Sequence, residues 1–413
     1  MSLGWFISAA PLSMSLLVFD SDFTYLLGFM TVKQLYTYLC NNYVVVVMGL
    51  RNVCESPDFV RVSTAADIVL GYSSGKFYRN AFPFCINLLL HFSDGCKSNC
   101  LYCGQARGVT SAPICRSLIR VEWPLRELGD VIERLNGFIR SGCSLRPYRV
   151  CVASITNPRA VEAEVEVIRR VFRGVGIPTS ALITPTLFRE EDMRDLREAG
   201  AERLGIAIDC ASERIFEALR GRGAGGTHLW GRYIQGIEEG VEVMGRGRVG
   251  IHLIVGLGET EEEAVKLIQL AHDLGAETHL FSFYPEDGSY LSGWVRPPVG
   301  QYRRVQMARY LINTGLSRYE WMKFNGVGQV THYGVSEGVL EEVVESGLPF
   351  ITSGCPGCNR PYANERPTER PRNYPYIPRG REIQRIRREL MTYTPPQNNY
   401  QLLLQYLNLN LAS

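Results

Sequence analysis

From Cys85 to Asn313, short apolar runs alternate with longer amphipathic stretches, the pattern of parallel strands joined by crossover helices. The run Cys85 to His91 reads as a strand, followed by a helix beginning after Pro124. Arg149 to Ile155 is the next strand, and Arg159 to Arg173 places Val161, Val165, Ile168 and Phe172 on one helical face. Thr179 to Ile183 precedes Glu190 to Ala199, whose acidic opening suits a helix start. Arg203 to Asp209 with Ser212 to Leu219, Val249 to Val255 with Glu261 to Leu274, and Thr278 to Tyr284 with Gln301 to Asn313 complete six units. Thr64 to Leu70 is a short lead-in helix. Six such units fit a partial barrel or a doubly wound sheet, and spacing alone does not separate the two.

The 413 residues hold one large domain with appendages. The expected division is an extension over 1–55, a lead-in over 56–84, the barrel over 85–315, a cysteine-containing region over 316–390 and a tail over 391–413. Met1 to Phe19 and Gln34 to Leu50 carry no charge. Pro11, several serines and the lack of a basic start weaken a signal peptide or membrane anchor there. Met30 and Met48 allow this segment to be an upstream extension from a misplaced start. A net charge of +2 gives no electrostatic reason to expect nucleic acid.

Candidate chemistry is concentrated in the 12 cysteines. Cys96, Cys100 and Cys103 follow the first barrel strand, where α/β folds place their loops of function. Three crowded thiols cannot pair internally without strain, and a structural zinc site needs four ligands, usually as two separated pairs. Three thiolates at this spacing can instead hold three irons of a four-iron cluster and leave the fourth open. Cysteine-ligated clusters imply a reducing interior, so the expected location is cytoplasmic, with no membrane association.

The segment Gly95-Cys96-Lys97-Ser98-Asn99-Cys100-Leu101-Tyr102-Cys103-Gly104 resembles the signature loop of the radical S-adenosylmethionine (radical SAM) enzymes. The resemblance covers roughly residues 85–300 and implies an α/β fold, a partial (β/α)6 TIM-type barrel with an N-terminal lead-in and a C-terminal cysteine-containing extension. It also implies a [4Fe-4S] cluster on Cys96, Cys100 and Cys103, with S-adenosyl-L-methionine (SAM) on the open iron and Tyr102 near the adenine. Gly256 and Gly258, in a βα turn similar to that of biotin synthase, let backbone approach the cofactor. Asp209 matches an aspartate that binds ribose hydroxyls, although it would also serve as a helix cap. Asn157 is a lesser candidate for contacts to SAM, with a turn before Pro158 as its plainer role.

Biotin synthase holds a second, sulfur-donating cluster inside its barrel. Cys151 matches one of its cysteines, but the next two fall near Ala181 and Gly250, so a cluster of that design is not expected. Cys355 and Cys358, in Gly354-Cys355-Pro356-Gly357-Cys358-Asn359-Arg360-Pro361, form a half-site for an auxiliary cluster, with Cys115 as a third candidate ligand. A zinc half-site or a thiol–disulfide pair remains open for them. This motif, with Asn364-Glu365-Arg366-Pro367, resembles the archaeal two-component lipoyl synthases over about residues 55–390. That resemblance implies sulfur insertion into the octanoyl chain of octanoyl-lysine on a lipoyl carrier protein or peptide. It also implies a second radical SAM component and an electron donor such as ferredoxin. Arg360 and Arg366 would face acidic patches of the carrier, or simply pack. The alternatives are a radical SAM maturase or methyltransferase acting on a small molecule, and a non-catalytic electron-transfer protein.

Overall fold

The computed structural model describes residues 54–77, 79, 81–107, 122–361, 369–395, 399 and 401–403. Cys115, Arg366, residues 1–53 and the end of the tail lie outside them. Its main sheet contains β1 (Phe59–Val62), β2 (Cys85–Leu90), β3 (Leu125–Glu127), β4 (Arg149–Ala153), β5 (Thr179–Ile183), β6 (Ala201–Asp209), β7 (Val249–Val255) and β8 (Glu277–Ser282), in the order β3-β1-β2-β4-β5-β6-β7-β8. From β2 through β8 the six strands are parallel. β1 runs antiparallel between β2 and β3. Among the described residues the sheet does not close, so the architecture is a mixed α/β fold with the six-stranded partial barrel that the periodicity indicated.

Alternation along each strand separates the two faces. Val249, Ile251, Leu253 and Val255 of β7 are buried, whereas His252 and Ile254 line the cavity inside the barrel. Leu204 and Ile206 of β6 lie beneath α6 (Trp230–Met244), whose Gly240 comes so close that a Cβ there would approach Leu204 within 3.0 Å. Among the described residues before α6, the other α-helices are α1 (Thr64–Val69), α2 (Leu128–Arg140), α3 (Ala160–Val175), α4 (Glu190–Ala199) and α5 (Glu213–Leu219). α6 was not anticipated from the sequence; it follows the glycine-rich segment after α5 and supplies the cover that the short α5 leaves incomplete.

After β7 come α7 (Glu261–Leu274) and, beyond β8, α8 (Val299–Asn313). Thr260 and Glu263 form a reciprocal capping box that starts α7. A small two-stranded ribbon, β9 (Lys323–Phe324) and β10 (Val330–His332), precedes α9 (Glu337–Ser346) and α10 (Arg381–Leu390). Among the described residues no helix is long and apolar enough to cross a membrane.

The C-terminal extension is bound to the barrel by buried arginines on α8. Arg303 pairs with Glu389 of α10 at 2.9 Å and donates to the carbonyls of Pro371 and Arg372 at 2.6 Å each. Arg304 holds Glu261 through Nη2 at 2.7 Å and Nε at 2.9 Å, both side chains being 1% exposed. Its Nη1 donates to the Leu390 and Thr392 carbonyls at 3.1 and 2.8 Å. Arg304→Met would strand a buried carboxylate and is expected to destabilise the protein by about 3–5 kcal/mol. Adding Glu261→Gln should recover part of that loss, as read by chemical denaturation; equal stabilities of the single variant and the wild type would refute this role.

Candidate active site

The cysteine loop after β2 is held from below by neighbouring βα turns. Lys97 N donates to Thr156 O at 2.7 Å, Leu101 N to Leu219 O at 2.8 Å, and Asn99 Nδ2 to Ala224 O at 2.6 Å. Asn157, fully buried after β4, donates to Asp94 Oδ1 at 3.0 Å and to Gly95 O at 3.1 Å, while its own oxygen accepts from Arg159 N. Its side chain therefore shapes the loop. With the backbone fixed, Cys96, Cys100 and Cys103 all keep accessible surface.

The three thiols lie within one another's electrostatic reach. Burial pushes Cys100 up to about 11 and Cys103 well above its ordinary value. Such thiols become thiolates when a cationic centre replaces the lost hydration, which fits a metal cluster. Among the described residues no three His, Cys, Asp or Glu side chains stand in finished metal-binding geometry; what the loop offers is the donor set and a fixed backbone.

Beside the loop, Tyr102 Oη donates to Asp209 Oδ2 at 2.7 Å, and Arg220 Nη1 donates to the same oxygen at 2.9 Å. Arg220 also donates to Tyr233 Oη at 2.8 Å, so this contact network ties the loop to α6. Asp209 ends β6 with φ +62°, a conformation costly for a non-glycine residue and typical of functional positions. Its carboxylate and Tyr102 both border the cavity inside the barrel.

Gly256 and Gly258 adopt φ +113° and +100°. They border a different cavity, of about 410 Å³, that includes Gln301, Gln329 and Thr394. Asn399 Nδ2 donates to Gly256 O at 2.9 Å, and the Glu259 carboxylate accepts from Gly256 N at 2.6 Å and Leu257 N at 2.9 Å. The C-terminal segment thus covers this turn.

At the opposite end of the barrel the turn carrying Cys355 and Cys358 is seated across the floor. Ser353 Oγ accepts from Leu280 N of β8 at 2.7 Å. Asn359 accepts from Phe84 N at 2.9 Å and donates to Phe82 O at 2.7 Å, immediately before β2. Arg149 of β4 donates to Pro356 O at 3.0 Å, and Ser180 of β5 donates to the Cys355 sulfur at 3.4 Å. Arg360 does not face outward toward a carrier: its guanidinium sits 4.9 Å over the Phe281 ring of β8.

Two further cysteines meet this turn. The Cys85 thiol, at the start of β2, hydrogen-bonds to the Cys358 sulfur, and Cys151 of β4 lies within reach of Cys355 and Cys358. The hydrogen bond from Cys85, reinforced by Arg360, brings Cys358 down to about 6 despite burial, while burial pushes Cys151 up to about 12. Linear spacing hides this grouping, because register joins it: Cys85 pairs with Arg149, and Cys151 with Asn87 and Ser180. The signal available was alternation, since on β5 the inward positions are Ser180 and Leu182 rather than Ala181.

A cavity of about 200 Å³ extends from the mouth loop to Arg360 of the floor turn. Tyr102 and Cys103 stand at one end and Arg360 at the other, with Leu182, Ile254 and Phe281 between them. His252 also faces it, kept neutral by burial and by the nearby His279.

The family model described as "Radical SAM superfamily" matches residues 90–271. A GTP 3',8-cyclase of Lactiplantibacillus plantarum is 23% identical over 280 residues, covering 66% of this chain and 74% of that protein. A biotin synthase of Saccharopolyspora erythraea is 24% identical over 234 residues, covering 55% of this chain and 60% of its own. The solved structure of methylornithine synthase superposes with a TM-score of 0.41 at 15% identity, covering 60% of this chain and 66% of that one. The family match spans less than half of this chain, which is thus similar over that stretch to radical SAM proteins, a class that uses a [4Fe-4S] cluster and SAM. The curated relatives that it resembles include GTP 3',8-cyclases and biotin synthases.

Burial pushes the Glu259 carboxyl up to about 8, against the pull of the two amides it accepts. An unfolded Glu titrates near ~4.3, so the folded chain holds this proton more tightly and stability falls as pH rises from there through about 8. Melting temperatures of the metal-free protein between pH 5 and 9 should show that fall, and Glu259→Gln should flatten it. Parallel pH profiles for the two proteins would contradict this account.

Proposed function

We propose that this chain inserts sulfur into the octanoyl chain of an octanoyl-lysine on a lipoyl carrier protein or peptide. The observation that supports it most is a cavity lined by Cys103 of the mouth loop and by Arg360, whose guanidinium lies within reach of the Cys355 and Cys358 thiols. Cys96, Cys100 and Cys103 are the proposed ligands of a [4Fe-4S] cluster whose open iron takes SAM. Held there, the cluster and SAM together would supply radical chemistry able to remove hydrogen from carbon 6 or 8 of the chain. An auxiliary cluster held by Cys355 and Cys358 is the proposed source of the sulfur.

The chain's own residues confine this chemistry. Tyr102 and Asp209, hydrogen-bonded to each other at the mouth of the cavity, would orient SAM, with Asp209 as an acceptor for ribose hydroxyls. Leu182, Ile254 and Phe281 give an extended alkyl chain an apolar path and keep water from a reactive carbon. His252, neutral in this setting, adds no charge to it. A second radical SAM component and an electron donor such as ferredoxin complete the proposed system.

The reduced, reconstituted protein with SAM and an octanoyl-lysine peptide should yield 5'-deoxyadenosine and a thiolated peptide by mass spectrometry, if necessary with the second component present. A Cys355→Ala, Cys358→Ala variant should still cleave SAM but add no sulfur. SAM cleavage without sulfur addition by the wild type, under all these conditions, would move the assignment to a maturase or methyltransferase.

A further inference from the structure

Four thiols from three separate stretches converge in the barrel floor, and the turn that brings two of them repeats the local geometry of the loop at the mouth. In the mouth loop, Cys103 N donates to Cys100 O at 3.0 Å and Gln105 N donates to the Cys103 sulfur at 3.4 Å. In the floor turn, Cys358 N donates to Cys355 O at 2.9 Å, and the amide of Arg360 donates to the Cys358 sulfur. Both turns therefore aim an amide at the second sulfur from two residues further on, an arrangement suited to a thiolate bound to a cluster. Gly357, with φ +82°, allows the floor turn to fold this tightly.

The other two thiols are on rigid strands. Cys85 bonds to Cys358, and Cys151 stands near Cys355 and Cys358. Cys151, Cys355 and Cys358 are half-buried residues, not wholly enclosed. Positive charge surrounds them: Arg149 reaches Cys355 and Cys358, and Arg360 is within reach of all four sulfurs. Arg360 also lines the cavity above, so the floor site adjoins the substrate path. A buried structural zinc would not require that connection.

We propose that Cys85, Cys151, Cys355 and Cys358 together ligate one iron–sulfur cluster in the barrel floor, with Arg149 and Arg360 balancing its charge. The proposal rests on the sulfur-insertion reading only for the use of the cluster; its ligand set stands on the geometry. Four protein thiolates give this cluster no open iron, in contrast to the three at the mouth.

The test uses the full chain carrying Cys96→Ala, Cys100→Ala and Cys103→Ala, reconstituted anaerobically with iron and sulfide. About four irons and four sulfides per chain should remain, with an electron paramagnetic resonance signal on reduction. Adding Cys85→Ala or Cys151→Ala should remove most of that iron, whereas Cys85→Ser or Cys151→Ser should retain a cluster with a shifted signal. Circular dichroism of each apo-protein checks folding independently of the metal. Unchanged iron and an unchanged signal in the Cys85 and Cys151 variants would overturn the ligand set while leaving a second cluster in place. No iron in the triple variant, or one zinc without sulfide, would overturn the floor cluster and with it the proposed sulfur source.

Discussion

An open barrel has edges, and an edge strand presents backbone groups that need partners. Here the β8 edge is served by side chains of the C-terminal extension, one of which also reaches the segment before β2. Ser353 accepts the amide of Leu280, Asn373 donates to its carbonyl at 3.2 Å, and Asn359 engages Phe82 and Phe84 before β2. These contacts fix the 353–360 turn between the first and last barrel strands. The position of Cys355 and Cys358 in the floor follows from the need to complete an unclosed sheet. The arginine clamps of α8 then hold the rest of the extension in place.

The two ends of the barrel are electrostatically different. At the mouth, Asp209 and Glu286 border the cavity, with Arg220 engaged behind Asp209. At the floor, Arg149 and Arg360 accompany the thiols. Between them the lining is largely apolar, and the one imidazole that faces it is neutral. Burying thiols without counter-charge opposes their ionisation, so the arginines at the floor favour the thiolate form there.

Most of the barrel was legible because its strands and helices have clear periods. Thr179–Ile183, Glu190–Ala199, Val249–Val255 and Glu261–Leu274 occur with the expected bounds. β1 was missed because all four of its residues are buried, which removes the alternation that marks a strand. The cysteine loop was legible from local spacing. Cys85 and Cys151 were harder to place in the floor because they are separated along the chain and meet only through strand register and the returning turn. The location of Gly256 and Gly258 was also beyond local pattern: their turn is glycine-rich as read, but Asn399 arrives from the far end of the chain to cover it.

The same reasoning explains why an arginine, rather than another apolar residue, stands where the cavity meets the floor. Arg360 has φ +22°, an unfavourable backbone conformation for a side chain other than glycine. Its guanidinium covers Phe281 while lying within reach of Cys85, Cys151, Cys355 and Cys358. A flat cation can stack on an aromatic ring and remain charged while buried, which a lysine does less well. Arg360 therefore joins the apolar path to the thiol cluster without leaving either an unpaired charge or an open gap. Under the proposed function an alkyl chain in that path would end against Arg360, which borders the cavity and lies within reach of the four sulfurs.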